Sequence, residues 1–260
     1  MSVLLLRLAG PMQSWGTRSR FSNRDTGLEP SRSGVVGMLC AALGRERDQP
    51  LDDFRPLKMA VRVDREGRLM RDYHTAQNVR RVDTTKSPQE TVLSERFYLA
   101  DADFLVGLEG ERSFLETLKK ALNTLVWQLC LGRKAFVPSL PVCEGIHDGE
   151  LLEVLKSYPW RMRTRREQPE KPLRCVVEVN YGEGEPRQDV PLSFVSRDRR
   201  FAVRHVKDVE PITPIQILEP EQECPPTETA TFCAKLGSCL AHARPVRASS
   251  SARILVPVSL

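Results

Sequence analysis

A chain of 260 residues, 40% apolar and with a net charge of +5, has enough material for one large domain or two small ones around a buried core. The mild charge permits nucleic-acid binding without arguing for it, so local clusters must carry that case. No run approaches the roughly 20 apolar residues of a membrane span. The first residues lack the charged-then-apolar layout of a secretion signal, and seven scattered cysteines without a C-x-x-C pair suit a reducing cytoplasm rather than a disulfide framework.

Val3 to Ala9 is short, apolar and stopped by Gly10-Pro11, which predicts a buried strand. Gln13, Ser14 and Trp15 follow, then a loop in which Arg18, Arg20, Arg24 and Arg32 outnumber Asp25 and Glu29. Ser31-Arg32-Ser33-Gly34 opens a helix whose apolar residues are Val35, Val36, Met38, Leu39, Cys40, Ala42 and Leu43, and Gly44 closes it. A strand, a basic loop and a Ser/Gly helix start make an anion-binding arrangement, because free N–H groups and the positive end of the helix dipole face the loop. The same residues equally suit a polar crossover with Trp15 in the core, and Gly34 and Gly37 suit close packing of helix on sheet.

Lys58 to Asp64 alternates, with Met59, Val61 and Val63 on one face, which predicts a half-buried strand; Gly67 turns the chain and Arg68 to Thr75 returns as its partner. Residues 75–98 form an excursion. Its polar part carries Arg80, Arg81 and Lys86 against Asp83 and Glu90, and Val92 to Leu99 is strand-like. A long excursion without its own core is usually functional or mobile. Phe104 to Leu108 is a strand. Glu111 to Asn123 is an amphipathic helix with Phe114, Leu115, Leu118 and Leu122 on one face. Val126 to Leu131 closes the unit as a strand ending at Gly132-Arg133-Lys134. The βαββαβ order predicts an α+β, ferredoxin-like, RRM-type domain over residues 1–134, with one sheet face and its edge loops open to RNA.

Beyond residue 134 prolines break the chain into short pieces. Leu173 to Asn180 and Arg199 to Val206 predict strands of a smaller, mostly β part over residues 135–215, with basic clusters at residues 161–166 and 197–204. Residues 216–260 combine prolines, acidic residues and a Ser/Ala/Arg stretch, the composition of a weakly ordered tail.

No phosphate-binding glycine loop or nucleophile elbow is present. Cys224, Cys233, Cys239 and His242 have spacings that fit no standard zinc finger, so neither metal nor cofactor is expected. Asp72-Tyr73-His74-Thr75 sets an imidazole at the foot of the excursion. His74 is either the general base of a metal-independent endoribonuclease, with Lys86 or Arg96 stabilising the phosphorane, or a locally satisfied histidine that fixes the hairpin base or touches RNA. Arg133 and Lys134 are either phosphate ligands at a strand end or solvated loop charges.

Leu6 through Gly16 resembles the N-terminal signature of the Cas-five family of the type I-E CRISPR surveillance complex, Cascade. Ser31-Arg32-Ser33-Gly34-Val35-Val36-Gly37, with Ala42-Leu43-Gly44 after it, is similar to the family's first helix. Arg71-Asp72-Tyr73-His74-Thr75, Glu90-Thr91 with Arg96-Phe97-Tyr98-Leu99-Ala100-Asp101-Ala102, and Leu131-Gly132-Arg133-Lys134 resemble three further family motifs. The match runs in order over residues 3–143 and thinly over 191–206.

The resemblance implies a non-catalytic, modified RRM-like (RAMP) domain with a β-hairpin thumb within residues 75–98 and a smaller β part. It implies a subunit for antiviral defence that caps one end of Cascade and holds the 5′ handle of the crRNA. The backbone subunits and the large subunit would adjoin it, and target DNA would be reached only through the complex. Relatives in type I-C systems cut RNA, which keeps the His74 nuclease as the alternative. On this basis Trp15, Tyr73 or Tyr98 are expected beside bases. Arg18, Arg20, Arg32, Lys86, Arg96, Arg133 and Lys134 are expected on phosphates, and Gln13, Ser33 and His74 on base edges, sugar or phosphate. The helix N-terminus at Ser33-Gly34 is expected to take one phosphate.

Overall fold

The computed structural model describes residues 1–18, 22–79, 89–162, 172–214 and 217–218. All of them belong to one compact unit, Met1–Glu219. In chain order its elements are β1 (Ser2–Ala9), β2 (Met12–Gln13), β3 (Asn23–Arg24), α1 (Arg32–Leu43), a 3-10 turn (Asp52–Phe54), β4 (Lys58–Arg65), β5 (Arg68–Val79) and β6 (Gln89–Ala100). Then come β7 (Asp103–Gly110), α2 (Arg112–Asn123), β8 (Cys143–Asp148), α3 (Leu151–Ser157), β9 (Trp160–Arg161), β10 (Leu173–Val179), β11 (Glu185–Ser193), β12 (Arg200–Ile212) and β13 (Ile217–Leu218).

β1 is buried along its length, and apolar apart from Ser2 and Arg7, because both of its faces are covered. Leu4, Leu6 and Leu8 enter the main core with residues of α1 and α2, while Val3 and Leu5 enter a smaller core with Val154 and Leu155 of α3. Among the described residues the main sheet runs β11-β12-β10-β4-β7-β1-β8. Its β4-β7-β1-β8 portion has the strand order of a ferredoxin-like βαββαβ unit, so the fold is α+β as the pattern predicts. The strands expected in a smaller second part continue this sheet: β10 pairs with β4 and carries β12 and β11 outward. In a second sheet β6 is central, with β5 along one edge and the short β2 and β3 along the other.

Three sequence expectations are corrected. Val126 to Leu131 is not a strand. Its backbone N–H groups at Val126 and Trp127 donate to the carbonyls of Ala42 and Ala41 at the end of α1, and Leu129 and Leu131 plug the main core. The fourth strand of the unit is β8 instead. Arg68 to Thr75 does not return along β4, whose neighbours are β7 and β10; it leaves the main sheet and pairs with β6 from Arg68↔Ala100 to Val79↔Gln89. β4 itself is buried on both faces, its second face carrying Arg62 and Asp64.

Those two residues join a buried ionic network that ties the strands together. Arg7 on β1 lies 2.5 Å from Asp64, 3.3 Å from Asp103 and 3.2 Å from Glu144. Arg62 pairs with Asp64 at 2.6 Å and donates to the carbonyls of Leu155, Tyr158 and Pro159, which takes up the orphan acceptors at the end of α3. Charged groups are tolerated at such depth when each is paired, and every member of this network has a partner.

Candidate nucleic-acid interface

The loop after Leu131 is the junction of the site. Gly132 sits at φ +92° against Ser14, and a β-carbon there would overlap the carbonyl oxygen of Ser14. The Ser14 N–H donates to the Leu131 carbonyl at 3.0 Å, so the first loop and the Gly132 loop are fastened to each other. Arg133 then reaches across to the second sheet. Its Nη2 donates to the carbonyls of Phe97 on β6, at 2.9 Å, and Arg24 on β3, at 3.2 Å.

These contacts gather three arginines from three separate segments. Burial pushes the Arg133 guanidinium below its ordinary value, and the neighbouring charges of Arg96 and Arg24 push it the same way, with Asp72 and Asp25 acting against them. Arg24 pairs in register with Arg96 across β3 and β6, and Asp72 pairs with Arg96 across β5 and β6. Arg96 donates to Ser94 Oγ at 3.1 Å, and His74 Nδ1 lies 3.7 Å from the Asp72 carboxylate. Clustered like charges are attractive to a polyanion, which releases the strain of their mutual repulsion. Tyr73 is 59% exposed on the adjacent hairpin. Tyr98 instead packs toward Phe136, ring centroids 5.8 Å apart, beneath the Gly132 loop.

The other side of that loop faces a groove along α1, lined by Ser33, Gly34 and Lys134 together with Trp15. Thus Arg96 and Arg133 are neighbours at the hairpin, His74 is joined to them through Asp72, and Ser33, Gly34 and Lys134 line one groove around the corner. Arg18 is exposed, and its backbone N–H donates to the Asp25 carboxylate at 3.1 Å. Arg20 and Lys86 lie outside the described residues.

Several expected ligand contacts are architectural. Gln13 is completely buried: its amide donates to the carbonyls of Leu8 and Ala102, both at 2.9 Å, and its Oε1 accepts from the Trp15 indole N–H at 3.1 Å. Trp15 is 2% exposed and belongs to the main core. Arg32 is buried as well. Its guanidinium makes two bonds to the Glu178 carboxylate, at 2.7 and 2.8 Å, and donates to the carbonyls of Phe54, Arg55 and Leu57. The N-terminus of α1 already holds a carboxylate of the chain itself, since the Arg32 N–H donates to Asp189 at 2.8 Å and the Gly34 N–H to the Ser31 hydroxyl at 3.2 Å. Gly34 is small because the Trp15 ring lies against it; a β-carbon there would be 2.9 Å from Cε3.

Sequence reasoning missed Arg24 and Asp72 as members of the cluster. Arg24 stood in a recognisably basic loop, but the short parallel pairing of β3 with β6 leaves no periodic trace. Among the described residues no group of three or more His, Cys, Asp or Glu side chains is placed to hold a metal ion. No helix among them is long and apolar enough to cross a membrane.

The family model described as CRISPR-associated protein (Cas5) matches residues 3–207, which takes in every segment of this site. The chain belongs to the Cas5 family. It is 41% identical over 160 residues to the CRISPR system Cascade subunit CasD of Escherichia coli strain K12, which covers 55% of this chain and 70% of that protein. A chain of a solved CRISPR RNA-guided surveillance complex is similar at a TM-score of 0.68 and 37% identity, over 85% of this Cas5 chain and 95% of the other. A crystal structure described as a Cas protein is similar at a TM-score of 0.66 and 41% identity, over 85% and 100% of the two chains.

Proposed function

We propose that this Cas5 chain is a subunit of a Cascade-type surveillance complex and grips the 5′ handle of its crRNA without cutting it. The observation that carries the reading is the meeting of Arg24, Arg96 and Arg133 at the foot of the β5–β6 hairpin. Three cations from distant segments, set against Asp72 and Asp25, leave a positive excess that a phosphate backbone would complement. The similarity to a CasD and to a chain of a surveillance complex supports the assembly. In this reading β5 and β6 are the base of a thumb over the RNA, with His74, on the same face as Asp72 and Arg96, presented to sugar or phosphate and Tyr73 on the opposite face of the strand. Lys134 and Arg18 extend the cationic track. Backbone and large subunits of the complex adjoin the chain, and target DNA is met only through them.

The similarity to a Cascade subunit supports binding rather than cleavage, and because a carboxylate 3.7 Å from an imidazole also suits a general base, the His74–Asp72 pair is put to the test directly. The full-length chain is titrated with labelled repeat RNA in EDTA, with and without the handle sequence. Tighter binding of the handle-bearing RNA, recovered intact, is expected. Equal affinity for both RNAs would sink the handle reading, and site-specific cleavage lost in His74→Ala would replace it with an endoribonuclease.

A further inference from the structure

The groove along α1 has a cavity of about 580 Å³ and holds residues that no motif singled out. Its size falls in the range of small-ligand sites, roughly 300–1,000 Å³. Met38, Cys40 and Ala41 of α1 contribute to its lining, and besides the buried Trp15 its aromatic members are Trp127 from the loop after α2, Phe194 just after β11 and Phe201 at the start of β12.

Trp127 is the unusual member. It is 45% exposed, while Trp15 and Trp160 are 2% and 1% exposed. A large exposed aromatic on a loose loop would mean little. Trp127 is instead pinned, its backbone N–H donating to the Ala41 carbonyl at 3.1 Å and that of Val126 to the Ala42 carbonyl at 3.1 Å. The side chain is therefore held at the groove rather than folded into the core.

The charge of the lining selects the ligand. Arg47, Lys134 and Arg199 contribute three cations, against Glu46 as the acidic member. Arg45 also lines the groove but is committed to Asp53 at 2.5 Å. Aromatic faces with surplus cations fit a nucleotide, whose base stacks and whose phosphate is neutralised. The groove also continues the arginine cluster, because Lys134 lines the groove and its chain neighbour Arg133 lies in the cluster. A strand of RNA crossing the Gly132 loop passes from one to the other.

We infer that the α1 groove is a stacking subsite for one unpaired base of a single-stranded RNA, with Trp127 as the platform and Arg47, Lys134 and Arg199 receiving the flanking phosphates. The inference rests on the RNA-binding function proposed for the arginine cluster. It goes beyond that function in placing a second contact on the far side of the loop from the hairpin.

The protein carries its own reporter. Its three tryptophans are Trp15, Trp127 and Trp160, and two of them are buried, so quenching of the acrylamide-accessible emission by RNA reports on Trp127. The full-length chain is titrated with handle RNA while tryptophan emission and the anisotropy of the labelled RNA are followed together. The accessible emission should be quenched at the same midpoint as the anisotropy rise. Trp127→Ala should weaken binding by about tenfold, in line with ~1–3 kcal/mol per stacked base, while Trp127→Phe keeps most of the affinity. Normal RNA binding with unchanged Trp127 emission and unchanged affinity in Trp127→Ala would overturn the subsite and leave the handle reading standing. Absence of any RNA binding would overturn both. Quenching by an acidic aromatic peptide but not by RNA would reassign the groove to a protein partner.

Discussion

Gly132 and Ser14 are in van der Waals contact across a separation of more than a hundred residues, and only a hydrogen on the Gly132 α-carbon fits against the Ser14 carbonyl. That contact fixes where the next two residues point. Arg133 is delivered to β6 and Lys134 to the groove on α1. The joint between the first loop and the Gly132 loop thereby sets both halves of the proposed RNA path.

Gly132→Ala adds a β-carbon where there is no room, at a φ that side-chain-bearing residues rarely adopt. The loop must shift, and the cost is on the order of 1–3 kcal/mol. Thermal melting should show a lower midpoint. RNA affinity, measured well below that midpoint, should fall as well because Arg133 moves with the loop. A variant with unchanged affinity would separate the joint from the binding surface.

Arg96→Ala and Arg133→Ala each remove one cation from the cluster. Each should lower the slope of log affinity against log salt by about one unit, and the double variant by about two. Affinity titrations across a series of salt concentrations give the slopes. Slopes equal to wild type would mean that neither side chain meets a phosphate.

Arg32 behaves differently in spite of its place in a basic loop. Arg32→Ala removes the cation beside Glu178, leaving that carboxylate with the Met59 N–H, and takes a donor from the carbonyls of Phe54, Arg55 and Leu57. Loss of one member of a buried ion pair costs roughly 3–5 kcal/mol. The expected result is a large fall in denaturant midpoint, with an unchanged salt slope in whatever fraction remains folded. A stable variant with a reduced slope would return Arg32 to the RNA interface.

The contrast between Arg32 and Arg133 shows how far the sequence could be read. Strand β1, the amphipathic helix α2 and the Ser31 and Gly44 caps of α1 are written in local spacing and were legible. The motifs around Gln13, His74, Arg96 and Arg133 were legible as a set; in the structure Arg96 neighbours Arg133, and His74 lies beside Asp72, which faces Arg96. What no local pattern records is the distant partner. Arg32 looks like a phosphate ligand until Glu178 and Asp189 arrive from β10 and β11. Val126 to Leu131 has the composition of a strand, but its backbone is taken up by the end of α1. Trp15 fills the core because Gln13 satisfies its indole N–H two residues away.

Burial pushes the Cys40 thiol up to about 11 and the Cys175 thiol up to about 12. The folded state keeps both protonated where the unfolded chain would ionise them. Their contribution to stability is therefore intact at neutral pH and is lost as pH rises from the ordinary thiol value of 9.0 toward those values. Denaturant midpoints should decline over that interval, and Cys175→Ala should flatten the decline. Native alkylation at about pH 9, near the ordinary thiol value, read by peptide mass mapping, should label the partly exposed Cys130 well before Cys40 or Cys175. Equal labelling would mean that the two cores open readily.

The most direct test of the RNA path is a crosslink. A crRNA carrying photoreactive 4-thiouridine in its 5′ handle is assembled with this chain and the other subunits of its complex, irradiated and mapped by mass spectrometry. Crosslinks are predicted in residues 131–136, on β6 around Arg96 and on β5 around His74. Crosslinks confined to the outer face of α2, around Lys119 and Lys120, would contradict the account.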